Sequence, residues 1–140
     1  MRREIMGTRS LTVFMDSFFS NSHGDKEIAV MYRQYDGYMS RHGAELAHFL
    51  TGSKIVNGYD KSDKNNFNGM ACLAASVIAH MKDGIGNVYL YPAATRDCGE
   101  EYIYFISQKN GDINIRVYDV YNNRDIFNGN PSDMLKKVKL

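Results

Sequence analysis

The densest group of side chains able to engage a ligand is Tyr32-Arg33-Gln34-Tyr35-Asp36-Gly37-Tyr38, which sets tyrosines beside a cation, an amide and a carboxylate. A tyrosine ring can stack a planar group, Arg33 can pair with an anion, and Gln34 and Asp36 can read polar edges. The same run also has a purely structural explanation. Tyr32 and its alternate neighbours would pack a sheet face while Asp36 and Gly37 make a turn. A second polar cluster is Thr95-Arg96-Asp97-Cys98-Gly99-Glu100-Glu101-Tyr102. There, Arg96 with Asp97 or Glu100 would form an exposed ion pair of little energetic weight. The functional alternative is that Arg9, Arg33 and Arg96 converge on one anion. The candidate ligand-binding residues are therefore Tyr32, Arg33, Gln34, Tyr35, Asp36, Tyr38, Arg9 and Arg96.

Other chemistries find less support. His42 and His48 stand six positions apart, which spreads them around a helix, unlike the i, i+4 pair of a zinc protease, so no metal site is expected. His80 falls on the flank of a helix as a satisfied or exposed side chain, and His23 lies in a loop with no recognisable partner. Cys72 sits among apolar helix neighbours, where a thiol is inert, whereas Cys98 beside Arg96 would have some thiolate character but no base. Both read as reduced thiols. There is no Gly-x-x-x-x-Gly-Lys run, no Gly-x-Ser-x-Gly elbow and no paired-cysteine zinc spacing. No cofactor and no catalytic residue is expected, and a hydrolase or transferase built on Cys98 or His48 ranks behind any binding role.

The elements that would position these groups follow from periodicity. Leu11, Val13 and Met15 alternate with Thr12 and Phe14, as in a strand with one face on a core, and Glu27 to Tyr35 resumes the alternation after the turn-rich stretch from Asp16 to Lys26. This predicts a hairpin with a long loop. Asp36-Gly37 ends the second strand, and Ser40 is a plausible N-cap for a helix carrying Leu46, Ala47, Phe49 and Leu50 that stops at Gly52. Residues 53–68 have few apolar anchors, Ile55, Val56 and Tyr59 being those that would hold the first part. From Gly69, Met70, Leu73, Ala74, Val77, Ile78 and Met81 mark a core helix ended by Gly84, with Ala71, Cys72, Ala75 and Ala79 as a small-residue flank open to another backbone. A short strand follows at Asn87 to Tyr91, and Glu101 to Ser107 and Asp112 to Asp119 form a hairpin around Asn110-Gly111. Val120-Tyr121 and Asp125 to Phe127 would add a further strand. Asn130-Pro131 would cap a short amphipathic helix through Met134, Leu135 and Val138.

These readings predict one α+β domain over residues 1–140, with residues 1–6 frayed. Its mostly antiparallel sheet of about five to six strands carries two central helices on one face and a short C-terminal helix. Composition agrees with a globular domain: 44% hydrophobic and 24% charged residues exclude neither a core nor a solvated surface. Seventeen basic against sixteen acidic side chains leave a net charge of +1, which makes no case for binding duplex nucleic acid. No apolar run is long enough to span a membrane, and no signal core follows the charged start, so the chain is expected in the cytoplasm.

Met6-Gly7-Thr8-Arg9-Ser10, Tyr32-Arg33-Gln34-Tyr35-Asp36-Gly37-Tyr38 and Asp125-Ile126-Phe127-Asn128-Gly129 together resemble small uncharacterised proteins encoded by bacteriophages and prophages. Gln34-Tyr35 stand where that group would carry a more histidine- and tryptophan-like pair. The resemblance implies a viral or prophage origin, hence a host cytoplasm, and no particular activity. Two functions are expected from the residues. One is binding of a small anionic or nucleotide-like ligand by the tyrosine and arginine groups. The other is a non-catalytic interaction module that contacts a host protein, or a homo-oligomer, through an exposed strand edge or a tyrosine-rich face.

Overall fold

The computed structural model describes residues 7–16 and 26–138, and these residues form the expected α+β fold. Its main sheet has six strands, β1 (Ser10–Asp16), β2 (Lys26–Arg33), β5 (Val88–Tyr91), β6 (Tyr102–Lys109), β7 (Asp112–Asp119) and β8 (Arg124–Gly129), in the order β5-β2-β1-β6-β7-β8. Neighbours are antiparallel except β1 and β6, which run parallel with Ser10 opposite Tyr102 and Phe14 opposite Ile106. A second, two-stranded parallel sheet pairs β3 (Ile55–Val56) with β4 (Phe67–Asn68) inside the stretch expected to be irregular. Tyr59, expected to help hold that stretch, is exposed instead. The expected turn-rich region around His23 and the frayed start lie outside the described residues.

Helices α1 (Ala44–Leu50) and α2 (Gly69–Met81) cover one face of the sheet, and α3 (Pro131–Val138) packs beside α1. The periodicity of α2 survives in its burial: Met70, Leu73, Ala74, Val77 and Met81 are buried against Phe14, Met31 and Ile106. The small-residue flank is not a backbone contact, because Ala71, Ala75 and Ala79 are exposed. A π-helical turn, Met39–Gly43, runs straight into α1, so the helix begins before Ser40 and Ser40 is not its cap. The Asn110-Gly111 turn has both residues at positive φ, 54° and 88°, as the tight turn between twisted strands requires. Val120 and Tyr121 belong to the following turn and not to a strand. Asn130 Oδ1 accepts the Asp133 N–H at 2.7 Å, so the C-terminal helix is capped as its sequence predicts.

The central strand β1 is buried on both sides, since Ser10 through Phe14 are all inaccessible. The helices cover Thr12 and Phe14. On the opposite face Leu11, Val13, Val30 and Ile103 form a second apolar cluster with Cys98 packed on it. Because β5 and β6 are separated by β2 and β1, the connection 92–101 must cross that face, and it does so without a helix. Its attachments are the Ala94 N–H to Glu27 Oε1 at 2.8 Å and the Glu101 N–H to the Arg9 carbonyl at 2.9 Å.

Candidate functional site

Alternation along β2 sends neighbouring residues of the candidate segment to opposite sides of the sheet. Arg33, opposite Ser10, turns toward the helices and is almost fully buried. Its Nη1 donates to His42 Nδ1 at 3.0 Å and to Glu45 Oε1 at 2.8 Å, with Nη2 near Glu45 Oε2 at 3.4 Å. A guanidinium can only donate, so Nδ1 of His42 is an acceptor and Nε2 carries the proton. That proton is donated to Thr12 Oγ1 at 2.7 Å. Burial, reinforced by the positive charge of Arg33, pushes His42 down to about 3, consistent with this neutral tautomer. The hydroxyl–imidazole contact therefore resembles a nucleophile and its base but has the wrong proton order for one.

Tyr104 completes the buried cluster. Its ring meets His42 edge-on at 4.7 Å, its hydroxyl donates to the Gly37 carbonyl at 2.6 Å, and burial raises its phenol well above the ordinary range. Gly37 is required for closeness and not for positive φ. A Cβ there would stand 2.7 Å from Ser10 Cβ and 2.9 Å from the Thr8 carbonyl oxygen. The positive φ of this turn belongs to Asp36, at 62°, whose carboxylate pairs with Arg41 at 3.2 Å. The cluster of Ser10, Thr12, His42, Glu45 and Tyr104 around Arg33 escaped the sequence reading. The legible signals were Thr12 inside an apolar strand and a histidine just ahead of a helix.

The even-numbered residues face the other way. Tyr32 lies 5.8 Å from the Tyr89 ring and 6.1 Å from the Tyr91 ring, both on β5. Gln34 Oε1 accepts the Asn87 N–H at 2.9 Å, with the Tyr89 hydroxyl at 3.4 Å, and Lys82 Nζ sits 5.5 Å from the Tyr89 ring centre. Tyr35 is exposed and packs its Cβ against Gly7, and Tyr38 precedes the π-helical turn with its ring at the surface.

Arg96 pairs with Glu27, at 2.6 Å from Oε2, and neither Asp97 nor Glu100 is its partner. Burial pulls the Glu27 carboxyl upward, but the Arg96 hydrogen bond and the Ala94 N–H outweigh it and hold it below the usual range. Arg9 packs on Gly99, whose Cβ would lie 3.0 Å from Arg9 Nη1. The three arginines thus do not converge: Arg33 is committed beneath the helices, while Arg9 and Arg96 lie along the crossover. The thiolate character expected of Cys98 finds no support in its surroundings, since Arg96 is turned to Glu27. Burial raises its thiol, and Glu100 and Asp97 add to the shift. Among the described residues, no group of three His, Cys, Asp or Glu side chains is placed to hold a metal ion, and no helix is long and apolar enough to cross a membrane. Two open hollows, one of 320 Å³ beside Lys54 and Asn130 and one of 330 Å³ beside Tyr59 and Cys72, contain none of the candidate residues.

The strand β5 itself is the least covered element of the sheet. Leu90 is 62% exposed, Tyr89 and Tyr91 are 37% exposed each, and Ile85 in the preceding turn is fully exposed. Comparisons with protein families, with characterised proteins and with solved structures give no match.

Proposed function

We propose that this protein is a binding module that engages another protein through the aromatic surface of β5 and its neighbour Tyr32, which Lys82 borders at one end. The observation that carries this reading is the exposure of Ile85, Tyr89, Leu90 and Tyr91 within one short run. No charged residue occurs from 84 to 92. Apolar and tyrosine side chains gathered at one edge, with charge depleted, are the composition of interface centres. The resemblance to phage and prophage proteins extends the proposal to a partner met in the host cytoplasm, either a host protein or a second copy of the chain.

A second reading rests on the ring cluster of Tyr32, Tyr89 and Tyr91. These rings would stack a planar or nucleotide-like ligand beside Gln34. An anionic group on that ligand finds less help, because Arg33 is paired with Glu45 and Arg96 with Glu27.

Native mass spectrometry of the protein purified from its expressing cells tests both, with a Tyr89→Ser, Tyr91→Ser double variant as comparison. A protein-sized adduct present in the wild type and missing from the folded variant is the expected result. A small co-purifying mass with the same dependence would assign the surface to the ligand. A bare monomer in both samples would reject both readings.

A further inference from the structure

The free edge of β5 has an unusual inventory of backbone groups. The Gln34 N–H donates to the Asn87 carbonyl at 2.9 Å, which sets the phase of the antiparallel ladder between β2 and β5. Hydrogen-bonded pairs alternate along such a ladder. Tyr89, opposite Tyr32, and Tyr91, opposite Val30, therefore turn their backbone groups inward, and Val88 and Leu90 turn theirs outward. The outward groups of Val88 are already taken: its N–H donates to the Gly86 carbonyl at 2.7 Å and its C=O accepts from Lys82 Nζ at 2.9 Å. At the next outward position Pro92 has no N–H, and its C=O accepts from Thr95 Oγ1 at 2.8 Å. Leu90 is left with one open donor and one open acceptor on an edge closed on either side.

We infer that the partner accepted by this edge is a second copy of the chain, joined strand to strand about a two-fold axis at Leu90. The inference rests on the reading of β5 as a contact surface. An added peptide strand gains from a run of open groups, and this edge offers a single residue. A two-fold axis is the operation under which that single pair satisfies itself. The Leu90 N–H meets the C=O of Leu90 of the partner subunit, and the reverse bond forms at the same time. Tyr89 then lies opposite Tyr91 of the partner subunit in a non-hydrogen-bonded pair, where facing side chains approach most closely. The absence of charge from 84 to 92 removes like-charge repulsion across the axis. Lys82, beside Val88, falls at the opposite end of the paired strands from its own copy. The product is a continuous sheet through two protomers with a layer of tyrosines on one face.

Sedimentation velocity of the purified protein from about 1 µM to about 1 mM, the range that captures weak to moderate self-association, tests this. The expected result is a monomer–dimer equilibrium that Leu90→Lys abolishes with an unchanged circular dichroism spectrum, while Tyr121→Lys, at an exposed position away from β5, leaves it intact. A Leu90→Cys variant in a Cys72→Ser, Cys98→Ser background should cross-link to itself under mild oxidation, and Tyr121→Cys should not. A wild-type monomer throughout the range, or a dimer indifferent to Leu90→Lys and uncrosslinked through Cys at 90, overturns the inference. If the wild type is monomeric yet keeps a foreign partner that depends on Tyr89 and Tyr91, self-pairing falls and the binding reading stands. If neither is seen, both fall.

Discussion

The two faces of the sheet treat adjacent residues of one segment in opposite ways. On the helix side, Arg33, His42 and Thr12 are buried and hydrogen-bonded in series, with the partly exposed Glu45 pairing Arg33 from the outside. On the other side, Tyr32 rests on the Leu11 cluster beside two half-exposed tyrosine rings. A run that looks like one site when written as a line is two environments, because a strand distributes its residues with a period of two. The buried set has fixed geometry and no access. The tyrosine set has access and few fixed partners, which is what a contact surface needs.

The largest expected difference between these regions is energetic. Arg33→Ala leaves the buried Nδ1 of His42 without its donor and removes the partner of the partly exposed Glu45, and should cost about 2–3 kcal/mol in urea unfolding. Arg96→Ala, which breaks a pair with Glu27 in which both side chains keep partial contact with solvent, should cost about 1 kcal/mol. Equal losses would erase the distinction between the two sides. Next in size, Gly37→Ala forces a Cβ against Ser10 and the Thr8 carbonyl and should cost about 1–3 kcal/mol in the same assay, through overpacking. An unchanged midpoint would show that the Ser10 contact yields freely.

Acid sharpens the comparison further. The folded chain holds His42 neutral down to about pH 3, while the unfolded chain takes up a proton on that side chain below about 6.5. Stability from this group is therefore complete above the unfolded pKa and declines as pH falls below it, until the folded pKa is reached. Lowering pH from 7.5 to 5.5 should remove about 1.4 kcal/mol. His42→Gln, which can still accept from Arg33 and donate to Thr12, should flatten that dependence. A wild type whose unfolding midpoint does not move over this interval would mean that His42 is protonated in the fold.

Local patterns were legible in the sequence and long-range ones were not. The apolar spacing of α2, the Asn110-Gly111 hairpin and the Asn130 cap each depend on residues within a few positions of one another, and each forms where the pattern predicts. The alternation of Tyr32, Arg33 and Gln34 also carried the division between faces. What it could not carry was the identity of the opposing surface: that His42 and Glu45 would meet Arg33, or that Glu27 and not a near neighbour would take Arg96. The expected helix cap at Ser40 failed for a related reason. The chain enters α1 through a π-helical turn in which His42 is buried edge-on to Tyr104, a long-range contact that a local capping signal does not register.

The parallel seam between β1 and β6 has a consequence for how the chain assembles. It divides the sheet into one antiparallel unit drawn mainly from the first part of the sequence, β5-β2-β1, and another from the last part, β6-β7-β8. The β6-β7 and β7-β8 hairpins close over short spans, whereas Ser10 must find Tyr102 across most of the chain. The entropy of closing a loop grows with its length, so this seam is the pairing in the main sheet that restricts the unfolded chain most.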